Sequence, residues 1–143
     1  MEGQPKQQHP AVPKKPEINL ATITKKRFDI QINGANRTYS QSFELDKTIK
    51  CVTGILVTSS KDDLLYYRGS HRMELNRQEI FPEGYECKLL MSGINCPVNE
   101  RYFNTGHLPA GNGSLRVDYR DTDDNRAPFE PYRVSVYVDC ELA

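Results

Sequence analysis

The chain has 143 residues, with 19 basic and 19 acidic side chains and 37% hydrophobic residues. This length fits one domain with its own core and leaves no room for a second. Because the charges balance, the chain has no overall electrostatic field that would hold it on nucleic acid or on an anionic membrane. No stretch approaches the ~20 apolar residues of a membrane-spanning helix.

Residues 1–22 are predicted to form an extended or disordered N-terminal arm. Prolines at positions 5, 10, 13 and 16 disfavour both helix and strand, and glutamines and lysines fill the gaps between them. The segment lacks the basic start and the apolar stretch of a secretory signal, so we expect synthesis in a reducing cytoplasm. An arm of this composition is expected to become ordered only against a partner.

Residues 23–143 are predicted to form one all-β domain, because short apolar runs alternate with turn residues. The first two strands, residues 28–32 and 39–45, are expected to pair as a hairpin after Asn33-Gly34. The third, residues 49–58, is apolar on both faces and should lie centrally, with Gly54 at a bulge or a close approach. The remaining runs predict strands at residues 64–68, 72–75 with an extension towards 81, 85–91, 115–119 and 132–138.

Eight antiparallel strands in a domain of this size predict a jelly-roll sandwich, in which two four-stranded sheets are joined by Greek-key connections. An immunoglobulin-like sandwich is the nearest alternative. It usually contains a core Trp between two bridging cysteines, and this chain has no Trp. Residues 82–84 are expected to turn the chain, and residues 92–112 form the longest irregular segment, a length that usually indicates a function.

The sequence predicts no catalytic residue, no cofactor and no metal or disulfide needed for folding. None of the four cysteines forms a Cys-x-x-Cys pair; Cys51 and Cys140 are expected in the core, and Cys96 should be reachable. The run DTDDN at residues 121–125 begins like a calcium loop, but Arg126 stands at the position of the turn glycine. A solvated hairpin loop is therefore the better interpretation.

Two groups of residues are candidate partner contacts. Basic residues cluster in the arm and just before the first strand, at Lys14, Lys15, Lys25, Lys26 and Arg27. Such residues can contact nucleic acid, because each contact with a phosphate releases counterions. With so few basic residues, we expect the contact to be weak. The second group lies in the long segment, at Tyr102, Phe103 and His107, where loops on a rigid β-scaffold commonly carry recognition.

The arm, the eight apolar runs and the segments EIFPEGY (residues 79–85) and LPAGNG (residues 108–113) give a chain that resembles small jelly-roll capsid proteins of icosahedral bacteriophages, of penton or minor capsid type. The resemblance implies a non-enzymatic structural protein of a virion, made in the host cytoplasm. We expect a capsid vertex, minor capsid or cement protein that assembles through the edges of its β-sandwich and through the N-terminal arm. Its expected partners are other capsid proteins and further copies of the chain, for example in a pentamer. The arm would reach into neighbouring subunits and contact packaged nucleic acid weakly.

Two other functions remain open from the sequence. A carbohydrate- or host-receptor-binding β-sandwich is favoured by tyrosine-rich loops and by the candidate calcium ligands Asp121 and Asp123, and disfavoured by the lack of Trp and of a secretion signal. A small cupin-like enzyme would need several His or Glu ligands facing one cavity, which the two histidines outside the arm do not supply.

Overall fold

A computed structural model describes residues 22–92, 96, 97 and 100–142. This part of the chain is all-β, with eight antiparallel strands in two four-stranded sheets. The strands are β1 (Ile23–Ile32), β2 (Thr38–Glu44), β3 (Ile49–Ser59), β4 (Gly69–Leu75), β5 (Gln78–Glu86), β6 (Phe103–Pro109), β7 (Ser114–Asp121) and β8 (Tyr132–Leu142). One short helix, α1 (Asp62–Arg68), and a 3-10 turn at Cys87–Leu90 lie between strands. The predicted class and strand number are confirmed, and residues 1–21 of the predicted arm lie outside the described residues.

The first sheet has the order β1-β8-β3-β6, and the second has the order β2-β7-β4-β5. Each sheet turns one face inward, because side chains alternate along a strand. In β7, for example, Leu115, Val117 and Tyr119 are buried, whereas Arg116 and Arg120 are exposed. The inward faces of the two sheets pack on each other and form a single hydrophobic core.

Aromatic pairs join the two sheets along both sides of the sandwich. Phe28 of β1 stacks on Phe43 of β2 with ring centroids 4.6 Å apart. On the other side, Phe81 of β5 meets Phe103 of β6 edge to face at 5.2 Å. Contacts of this geometry add to the stabilisation that burial alone provides, so the outer strands of each sheet are held against the sheet that faces them.

The predicted hairpin between the first two strands is wrong. β1 pairs with β8 and β2 pairs with β7, so the two strands belong to different sheets. The turn after Asn33 carries the chain from one sheet to the other, which places Phe28 and Phe43 face to face across the sandwich. A turn pattern in the sequence predicts that the chain reverses direction, but it does not indicate which sheet the next strand joins.

The strand predicted at residues 64–68 is also wrong, because these residues form α1. Leu64 and Leu65 are adjacent and both buried, which an alternating strand with one exposed face would not allow. A helix can bury neighbouring side chains on one broad face. Asp62 and Asp63 lie in its first turn, where negative charge is favourable.

Four further segments differ from the prediction. The expected fifth strand is divided by a turn at Asn76 and Arg77, both of which have positive φ, so β4 and β5 form a hairpin. Residues 82–84 do not turn the chain; they form a bulge within β5 between the pairs Phe81–Met73 and Tyr85–His71. The predicted strand at residues 85–91 ends at Glu86, since the next residues form a 3-10 turn that buries both Cys87 and Leu90. The segment predicted to be irregular at residues 92–112 contains β6.

A buried ion pair connects α1 to the second sheet. Arg68 donates to Asp121 through Nη2 at 2.8 Å and through Nε at 3.1 Å, and both side chains are almost fully buried. The Tyr132 hydroxyl donates to Asp121 at 2.6 Å, as does the backbone N–H of Asn36 at 3.0 Å. Burial alone would raise the pKa of Asp121, but the hydrogen bonds from Arg68 and Tyr132 outweigh it and the pKa lies below its usual value. Asp121 therefore serves the fold and is not a free ligand of a calcium loop.

We expect Asp121→Asn to lower the free energy of unfolding by about 3–5 kcal/mol, because it removes the buried partner of Arg68 and leaves only the exposed carboxylate of Asp123 beside its charge. Chemical denaturation followed by circular dichroism measures the change. Asp124→Asn is the matched control, since Asp124 pairs with the exposed Arg126 and should alter stability little. Equal midpoints for the two variants would show that the buried pair does not stabilise the fold.

His71 is a second buried polar group in the sandwich. It is 2% exposed, and its ring lies 5.3 Å from that of Phe81 and 5.6 Å from that of Tyr85, measured between centroids. Neither ring nitrogen has a hydrogen-bond partner among the described residues. Burial lowers the pKa of His71 to about 4 from an ordinary value of 6.5, so the folded protein holds the imidazole neutral.

This burial predicts a loss of stability in acid. The unfolded chain takes up a proton at His71 below its ordinary pKa of 6.5, whereas the folded chain resists protonation down to about 4. The free energy of unfolding therefore has its full value above pH 6.5 and falls by about 3 kcal/mol as the pH drops to about 4. Denaturation midpoints at several pH values should show a shallower decline for His71→Leu than for the unchanged protein, and identical slopes would contradict the assignment.

Candidate partner-binding surface

The solvent-facing side of the first sheet carries most of the predicted partner contacts that lie among the described residues. We call this side the outer face; it consists of the outward side chains of β1, β8, β3 and β6 together with Tyr102, which precedes β6. In β1, Ile30 and Ile32 point into the core, so Lys25 and Arg27 at odd positions point outward. The outer face is therefore fixed by the same alternation that builds the core.

Lys25 and Tyr102 meet on the outer face although they come from opposite edges of the sheet. The ammonium group of Lys25 lies 4.4 Å from the centroid of the Tyr102 ring and 3.2 Å from a carboxylate oxygen of Asp139. Tyr102 can cross the sheet because Gly54 has no side chain; a Cβ atom there would lie 2.9 Å from the Cβ of Tyr102. The expectation that Gly54 marks a close approach is confirmed.

A second cluster surrounds Arg27. Its Nε donates to Asp29 at 2.8 Å, and the hydroxyl of Ser135 donates to the same carboxylate oxygen at 2.7 Å. The Arg27 guanidinium also lies 5.8 Å from the centroid of the Tyr137 ring. The hydrogen bonds from Arg27 and Ser135 lower the pKa of Asp29. Arginine and tyrosine held in place by neighbours are residues that dominate protein interfaces.

Other predicted residues do not join these clusters. Lys26 points to the opposite side of β1 and pairs with Asp46 at 2.5 Å. Phe103 packs on Phe81 of the second sheet, yet remains 42% exposed. His107 lies on the outer face but apart from Lys25 and Arg27. Lys14 and Lys15 lie outside the described residues.

His107 belongs to a third group, with Cys51 and Glu141. Its Nδ1 atom lies 3.7 Å from the sulfur of Cys51 and 3.5 Å from a carboxylate oxygen of Glu141. Cys51 is buried as expected, but it is not part of the core cluster that contains Cys140. Burial raises the pKa of the Cys51 thiol, and the charge of Glu141 raises it further.

The sequence interpretation missed the residues of β8 that organise the outer face. Tyr137, Asp139 and Glu141 are spaced two apart between buried residues. The alternation in this strand was visible, and applying it to the outward positions would have identified all three. Their partners on β1, β3 and β6 could not have been identified in the same way, because those contacts depend on the register of paired strands.

The outer side of the second sheet has a different character. A groove of about 500 Å³ lies there, and its lining includes the charged residues Arg72, Arg116, Asp118 and Arg120. Arg72 is paired with Glu74 and Glu79. The groove is a concave surface whose charged side chains could hold a polar ligand.

Comparisons with protein-family models, curated proteins and solved structures found no match to this chain. Among the described residues, no helix combines the length and the apolar character required to cross a membrane.

We expect Gly54→Ala to displace Tyr102 and to cost about 1–3 kcal/mol, as overpacking does at close contacts. Thermal denaturation measures the loss. In a Tyr102→Gly background the clashing Cβ atom is absent, so the same alanine substitution should cost clearly less. Equal costs in both backgrounds would show that Tyr102 does not lie over Gly54.

Proposed function

We propose that this protein is a non-enzymatic structural subunit of a virion, acting as a capsid vertex, minor capsid or cement protein, and that its fold is a jelly roll. The strand pairing is the observation that carries the proposal. The pairs β1–β8, β2–β7, β3–β6 and β4–β5 are nested, like the strands of one long hairpin rolled into a sandwich. This arrangement is the one expected for a jelly roll, a fold that occurs in viral capsid proteins, lectins and cupins.

The interior of the sandwich favours a structural role over a cupin-like enzyme. A cupin active site needs several metal-binding side chains that face one cavity. The buried polar residues among the described residues are Arg68, His71, Asp121 and Ser135. Two of these form the structural ion pair, and His71 is packed between aromatic rings without a second ligand beside it.

The outer face supports assembly through this side of the sandwich. Its charged and aromatic side chains are already held by neighbours, so a partner would not have to order them on binding. The face extends to β1, which follows the N-terminal segment directly. We therefore propose that the outer face and the segment of residues 1–22 together contact other capsid proteins and further copies of the chain in a cyclic homo-oligomer such as a pentamer.

The proposal also assigns a role to the basic residues of the arm and a location to the protein. Lys14 and Lys15 would make weak contacts with packaged nucleic acid, because the balanced charge of the whole chain offers no broader attraction. The protein would be made in the host cytoplasm and reside in the virion.

A carbohydrate- or host-receptor-binding module is the second candidate function. The groove on the second sheet favours it, since arginine and carboxylate side chains line a concave surface that could accept hydroxyl or acidic groups of a sugar. Against it, Asp121 is occupied by Arg68 and cannot serve the calcium-dependent sugar binding that its loop suggested.

We expect native mass spectrometry of the full chain to give one defined cyclic oligomer, and Arg27→Glu to shift it to monomer. The substitution places a second negative charge beside Asp29 and removes the positive charge of Arg27 from the outer face. Arg120→Glu changes a charge on the second sheet and is the matched control; it should leave the oligomer intact.

A chain that stays monomeric at every concentration, alone and with the other proteins of its virion, would contradict the assembly proposal. If Arg120→Glu then abolished glycan binding while Arg27→Glu did not, the second candidate function would be correct.

A further inference from the structure

We propose that Cys51, His107 and Glu141 bind one Zn²⁺ ion on the outer face. Each ligand comes from a different strand. Cys51 of β3 pairs with Glu141 of β8 on one side and with Pro109 of β6 on the other. His107 lies two residues before Pro109, and the three ligand atoms all lie within 4.8 Å of one another.

The distance between His107 and Glu141 fits a shared metal ion better than a hydrogen bond. The Nδ1 atom of His107 is 3.5 Å from the oxygen of Glu141, which is longer than the roughly 2.7–3.2 Å of a hydrogen bond from nitrogen to oxygen. Tetrahedral zinc with ordinary bond lengths would separate its nitrogen and oxygen ligands by about 3.4 Å, and its nitrogen and sulfur ligands by about 3.6 Å. The second distance observed, from Nδ1 to the sulfur of Cys51, is 3.7 Å. Both distances from Nδ1 therefore match a tetrahedral zinc ion, and the sulfur of Cys51 lies within 4.8 Å of the Glu141 oxygen.

The types of ligand select the metal. A thiolate with an imidazole and a carboxylate suits zinc, whereas magnesium and calcium prefer oxygen ligands alone. Three protein ligands leave one of four positions open, as in zinc sites that keep a bound water. A cleft of about 360 Å³, lined also by Lys50 and Pro109, gives access to that position.

A zinc ion at this site would also stabilise one edge of the first sheet. β6 is the edge strand, and its pairing with β3 is interrupted between Val52 and Gly54. A zinc ion held by His107 would join this strand to both β3 and β8 beyond the interruption. Sequence spacing did not indicate the site, because its ligands are far apart in the chain and meet only through strand register.

The test is a titration of the reduced, metal-free full chain with Co²⁺, which reports thiolate coordination through its absorption spectrum. We expect one Co²⁺ per chain, a sulfur-to-cobalt charge-transfer band, strong bands of four-coordinate cobalt, and displacement by one equivalent of Zn²⁺. Cys51→Ser should abolish the charge-transfer band. His107→Ala and Glu141→Gln should each weaken binding about tenfold or more, since even residues that only support a ligand have effects of that size.

Cys96→Ser is the matched control, because Cys96 is a partly exposed thiol outside the group and should leave the spectrum unchanged. Circular dichroism of each variant confirms folding, and Glu141→Gln at the partly exposed ligand provides a test if Cys51→Ser does not fold. The proposal is overturned if the unchanged protein shows no charge-transfer band, if Cys96→Ser removes it, or if it persists in Cys51→Ser.

Discussion

The register of β8 is the constraint on which the rest of the structure depends. This strand pairs with β1 on one side and with β3 on the other. Its even-numbered residues from Tyr132 to Cys140 are buried, and the odd-numbered residues point away from the core. A slip of one residue would exchange the two faces completely. The core and the outer face are therefore two consequences of one alignment.

Every cluster on the outer face includes an odd-numbered residue of β8. Ser135 contacts Asp29, Tyr137 lies beside Arg27, Asp139 pairs with Lys25, and Glu141 lies beside His107. At the start of the strand, Tyr132 donates to Asp121 at 2.6 Å and so ties the alignment to the buried ion pair of the second sheet. The buried hydrogen bond between Tyr132 and Asp121 thus holds the register of β8, and this register places the β8 residues of the surface clusters.

Local pattern predicted those parts of the fold that depend on neighbouring residues alone. Residues 115–119 and 132–138 alternate between apolar and polar side chains, and both lie within strands of the structure. Leu64 and Leu65 misled the prediction, because a short apolar run fits a strand or a helix equally well until its packing is known. The choice of strand partners failed for a related reason, since the turn after Asn33 does not encode which sheet follows.

The candidate site, like the fold, could be predicted from local pattern only in part. Outward positions such as Lys25 and Arg27 could be selected by residue type, whereas the contact between Lys25 and Tyr102 depends on the register of four strands and on the small size of Gly54. The group of Cys51, His107 and Glu141 is entirely long-range and had no local signal. Apart from the Arg27–Asp29 pair within β1, the contacts described on the outer face join residues of different strands.

The most direct measurement is a cryo-electron microscopy structure of the proposed assembly at a resolution that shows side chains. It should place Lys25, Arg27, Tyr102 and Tyr137 in a contact with a neighbouring subunit, and their clusters should be retained within that contact. An assembly in which this face of the first sheet is fully exposed to solvent, with all subunit contacts made elsewhere, would contradict the role assigned to β8 and its outward residues.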